Sequence, residues 1–112
     1  MSAREFAGSL RDRVVIEAPT GERNSLGAQL PEWMVVARCL AAVAPEGAGA
    51  EAEGQALSAM ARFKVTIRVR EGIAVGQRVR WGGRLLAVRQ RVDDPALPDR
   101  ITLRCEEIRA CG

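Results

Sequence analysis

Phe63-Lys64-Val65-Thr66-Ile67-Arg68-Val69-Arg70 alternates apolar and polar residues without a break. Successive side chains of a strand point to opposite faces, so this period of two describes a strand with one buried and one wet side. Glu71-Gly72 ends it. Downstream, residues 77–81 and 84–92 flank Gly82-Gly83. Two glycines between apolar-rich runs predict a tight hairpin with both glycines at positive φ. The implied register pairs Trp81 with Arg84 and Val79 with Leu86, which would lay the Arg84 stem on the Trp81 ring. Asp93-Asp94-Pro95 and Pro98-Asp99 bound a turn. Residues 100–107 then form a strand with Ile101, Leu103 and Cys105 facing inward.

The first half is less regular. Residues 13–17 form a short strand around Val14, Val15 and Ile16, and residues 19–27 are rich in turn formers. Residues 33–43 are apolar almost throughout. As a strand they place Trp33, Val35, Ala37, Cys39, Ala41 and Val43 on one face. A helix also fits their Ala and Leu content, and Val35-Val36 weighs toward strand. Met34, Val36 and Leu40 occupy the second face, which suggests contact with another subunit or layer. Residues 45–55, PEGAGAEAEGQ, have no bulky side chain and read as a mobile loop, with a short helix an alternative for residues 51–61. The expected fold is all-β: a small antiparallel barrel or sandwich of about six strands, with a long loop between the second and third. One domain over residues 1–112 is expected, with an arm at 1–10 and the mobile loop at 45–56.

Charge divides the chain more sharply than its net +3 suggests. Residues 1–39 are neutral, residues 40–61 carry only Glu46, Glu51 and Glu53, and residues 62–109 are net +6. The sheet half is basic, with Lys64, Arg68, Arg70 and Arg104 on outward positions; the loop is acidic. Without histidine, a phosphate-binding glycine motif or a C-x-x-C pair, a catalytic, cofactor or zinc site is hard to assemble; Asp93-Asp94 could hold a metal in principle, but a turn next to Pro95 explains them better. Cys39, Cys105 and Cys111 read as thiols of a reducing compartment. No apolar run approaches a membrane span, and no signal peptide opens the chain, so cytoplasmic production is expected.

Across residues 8–109 the order of these features resembles the phage head–tail joining family, which includes the head-closure or stopper proteins. Gly8, Leu10, Arg13 and Val14 are similar to its opening G-x-L-x-x-R-V. Gly27 and Trp33 follow, then Ala41, Val43 and Pro45 with Gly49 and Glu51. The stretch from Lys64 to Ile73 resembles the family's run into a Gly-Ile turn. Gly76, Arg78, Val79, the Gly82-Gly83-Arg84 hairpin, Asp93 and Leu103-x-Cys105-Glu106-Glu107 complete it. Leu40 and Val69 stand where members often carry aromatics.

The resemblance implies a non-enzymatic barrel that assembles with itself into a sixfold or twelvefold ring in the neck of a phage or gene transfer agent. Portal and adaptor proteins would lie above, tail terminator and tail tube below, and double-stranded DNA would pass through, with no membrane and no cofactor. On that reading Glu46, Gly47, Gly49, Glu51, Glu53 and Gly54 form a channel loop. Val15, Trp33, Met34, Val36 and Leu40 make ring or partner contacts. A nucleic-acid-binding barrel and a tail terminator are the competing readings.

Overall fold

The computed structural model describes residues 8–21, 32–46 and 61–108. Six strands form: β1 (Asp12–Pro19), β2 (Trp33–Glu46), β3 (Arg62–Arg68), β4 (Arg78–Trp81), β5 (Arg84–Val92) and β6 (Arg100–Ile108). They close into an antiparallel barrel in the order β1-β2-β3-β6-β5-β4, with β4 pairing back onto β1. Residues 33–43 are therefore strand, and the all-β expectation holds.

Alternation decides what lies inside. Val65 and Ile67 of β3, Ile101 and Leu103 of β6, Val79 of β4, Leu86 and Val88 of β5 and Val14 and Ile16 of β1 are buried together. Each such side chain contributes roughly 1.5–3 kcal/mol on leaving water. With few aromatics to fill space, the interior is built mostly of branched aliphatics. Phe63 and the half-buried Trp81 meet edge to face at 5.5 Å.

Three local features depart from the sequence pattern. First, the β1–β2 register shifts so that Ile16 faces Ala37 while Glu17 faces Val35. This bulge reverses the inside–outside pattern at one point. Val35 is turned outward, 42% exposed, and Val36 packs against the core instead. Second, β3 stops at Arg68, and the Val69 amide donates to the Asp99 carbonyl at 2.9 Å. Val69 is thus outside, 52% exposed, although the alternation places it inward. Third, Gly82 takes φ 60° while Gly83 does not adopt a positive φ. The hairpin follows the II′ pattern, in which only the first central residue is left-handed, rather than the I′ pattern. Its register is the expected one, Trp81 opposite Arg84 and Val79 opposite Leu86.

Gln77 holds the turn between β3 and β4. Its Nε2 donates to the Gly72 carbonyl at 2.6 Å, and its Oε1 accepts from the Ala74 amide at 3.1 Å. Gly72, at φ 87°, makes that turn affordable for the backbone. Asp94 organises the β5–β6 turn by accepting from the Ala96 amide, a structural role for one of the paired aspartates.

Candidate functional interface

The outer wall sorts its charges by strand. Every arginine of β4, β5 and β6 has a carboxylate partner. Arg78 and Arg80 share Glu17, at 2.7 and 3.5 Å. Arg84 meets Glu107 through two contacts of 2.8 Å, and Arg89 meets Glu106 at 3.3 Å. Arg91 pairs with Asp93, Arg100 with Asp99, and Arg104 with Glu46 at 2.9 Å. Two of these pairs carry aromatic rings. The Arg78 guanidinium lies 4.1 Å above Trp33. Arg84 lies 4.9 Å from Phe63 and 5.4 Å from Trp81.

The pairing is read in the ionisation of the acids. Burial pushes the Glu17 carboxyl up, but the hydrogen bond and charge of Arg78, with Arg80 behind it, outweigh burial and hold it below its ordinary value. The Arg84 hydrogen bonds lower Glu107, and the Arg100 hydrogen bond lowers Asp99. Burial raises the Cys105 thiol to about 12, with Glu46 adding to it, so this sulfur is not a nucleophile at neutral pH. Burial also raises Cys39, against the opposing charge of Arg70. Among the described residues no cluster of His, Cys, Asp and Glu could hold a metal ion, and no helix is long and apolar enough to cross a membrane.

Arg13 of β1, Arg38 of β2 and Arg70 just beyond β3 behave differently: among the described residues none of them forms an ion pair. They gather around Leu40, which is 48% exposed. Arg13 lies directly opposite Leu40, and Val15 opposite Arg38. A cleft of about 470 Å³ is lined by Arg13, Val15, Arg38, Cys39 and Leu40. A second, of about 210 Å³, runs past Leu10, Arg38, Leu40, Arg68 and Arg70.

The sequence-derived interface residues therefore separate. Val15 and Leu40 share one cleft. Met34 is exposed, 55%, farther along β2. Trp33 is covered by Arg78, and Val36 is turned against the core. The basic sheet residues separate too. Lys64 and Arg104 are cross-strand neighbours, Arg68 stands opposite Arg100, and Arg70 lines the smaller cleft. Of the loop residues, Glu46 is the last of β2 and pairs with Arg104; Gly47, Gly49, Glu51, Glu53 and Gly54 lie outside the described residues. Arg38 was not singled out from the sequence, and Arg13 only as part of the opening motif, not as an interface residue. Their outward positions beside Leu40 carried the only signal, and it becomes specific once the β1–β2 register is known.

The phage head completion protein family model matches residues 7–108. The solution structure of protein SF1141 from Shigella flexneri 2a is similar over 89% of this chain and 94% of that one, at 25% identity and a TM-score of 0.69. A chain in the virion of a native gene transfer agent particle shares the fold, with 18% identity, a TM-score of 0.64, and coverage of 90% of this chain and 97% of that one. Among curated protein sequences there is no match.

Proposed function

Because the chain belongs to the phage head completion protein family, we propose that it is a structural, non-catalytic part of the neck of a tailed-phage-like particle or gene transfer agent. One observation carries this: the family match spans all six strands of the closed barrel. In the proposed arrangement copies of the chain form a ring below portal and adaptor, close the DNA channel after packaging and offer a docking surface to the tail. The chain is made in the producing cell and leaves it in the released particle.

A ring gives the charge pattern consequence, since each charge recurs around the axis and modest monomer asymmetry becomes a strong field. The segment after β2 has no basic residue between Leu40 and Ala61. If it borders the channel, Glu51 and Glu53 repel DNA phosphates and keep the exit path from binding its cargo. Deleting residues 47–54 tests that part: particles should assemble but retain or release DNA abnormally. The neck reading itself is tested by deleting the gene and imaging the particles. Filled heads without tails are expected. Normal tailed particles, or particles lacking this chain in the wild type, would refute it.

A further inference from the structure

The groove around Leu40 combines two properties that are not found together on β4, β5 and β6. Arg13, Arg38 and Arg70 form no ion pair among the described residues, and the floor between them, Val15 and Leu40, is apolar. Arg70 adds a buried Nε without a hydrogen-bond partner among the described residues. Buried donors are nearly always satisfied, so an orphan donor beside an open cleft points to an acceptor brought from outside. Guanidinium forks suit carboxylates, as the two 2.8 Å contacts between Arg84 and Glu107 illustrate in this same barrel.

We infer that this groove docks an acidic peptide segment of another protein, one that sets a leucine-sized side chain beside Leu40 and carboxylates on Arg38 and Arg70. The inference rests on the neck reading for why a partner is at hand, and on the groove alone for the partner's chemistry. The apolar floor separates the peptide from nucleic acid: phosphates would satisfy the arginines but leave Leu40 and Val15 uncovered by anything apolar. The clefts, about 470 and 210 Å³, have room for several side chains of a short peptide segment. A second copy of the described surface is a poor match. Among the described acids, only Glu32 and Glu71 lack a side-chain hydrogen bond or ion pair. Few carboxylates therefore remain for a sister molecule.

The test uses the full chain and fluorescence anisotropy. The probe is a labelled peptide of repeated Glu-Leu-Glu-Ser; its controls are the same peptide with Ser for Leu, and a short labelled DNA duplex. The Glu/Leu peptide should bind tightest. The double variant R38Q/R70Q should weaken it at least about tenfold, the loss of two charge-assisted contacts, each partly screened by solvent. Leu40→Ser should weaken it several-fold and erase the preference for leucine over serine. Circular dichroism melting should not fall in either variant by more than a few degrees, so that lost binding is not lost fold. Tighter binding of the duplex, equal binding by wild type and R38Q/R70Q, no binding of the peptide, or a salt-sensitive self-association that buries Leu40 would each overturn the inference. Absence of the chain from particles would instead remove the neck reading and leave the peptide result standing.

Discussion

The arginines of β4, β5 and β6 and those around Leu40 have the same chemistry and opposite circumstances. The first set is neutralised within the barrel, several members across large sequence distances: Glu17 with Arg78, Glu46 with Arg104. The second set faces outward without internal partners among the described residues. An ion pair within the chain fixes two strands to each other; an unpaired guanidinium at the surface keeps its binding capacity for something else. The difference separates charge that serves the fold from charge that is available to a partner.

That contrast can be broken by experiment. It presumes first that the aliphatic core, not the charges, holds the barrel. Leu103 is fully buried on β6, between β3 and β5. Leu103→Ala should cost about 3–4 kcal/mol by urea unfolding, the cost of a lost side chain and a cavity. A loss below about 1 kcal/mol would mean that the charges contribute more than supposed. Next, Glu17→Ala should cost about 2 kcal/mol, because it strands Arg78, whose side chain is 16% exposed. The sign with pH follows from the lowered Glu17 value. Its contribution is present above its ordinary value of 4.5 and is lost as pH falls through the lower folded value. Unfolding midpoints of wild type and variant should therefore converge in acid.

Gly72→Ala should cost about 1–2 kcal/mol, since φ is 87° there and the new methyl would meet Val36 Cγ1 at 3.4 Å. Because this turn follows Arg70 directly, the variant should also weaken peptide binding at the groove. Arg38→Gln should have the smallest effect, within about 0.5 kcal/mol, and should slightly stabilise the barrel in low salt by relieving repulsion with Arg13 and Arg70. A cost like that of Glu17→Ala would erase the distinction between the two sets.

How much of this the sequence carries follows from what is local. The alternation in residues 63–68 and 101–105 and the pairing across Gly82-Gly83 are short-range, and they hold. The bulge at Val36 is not local, since it depends on how β2 meets β1, so the expected face of Val35 came out reversed. The end of β3 is set by the Asp99 carbonyl, far along the chain, which no pattern around Val69 discloses. The candidate site shows the same division. Leu40 and Val15 were visible as apolar residues on outward positions. Their grouping with Arg13, Arg38 and Arg70 needed cross-strand register.

Closure of the barrel has one more consequence. Each of the six described strands has a neighbour on both sides, but the neighbours of β2 are staggered: residues 33–41 pair with β1, and Ala42 to Glu46 with β3. Backbone zippering between copies, the common route from a β-protein to fibres, is confined to the part of β2 that β3 does not reach. Elsewhere on the wall, copies held at high local concentration meet through side chains and loops. Such contacts can be specific in angle, and they can be undone without unravelling the sheet.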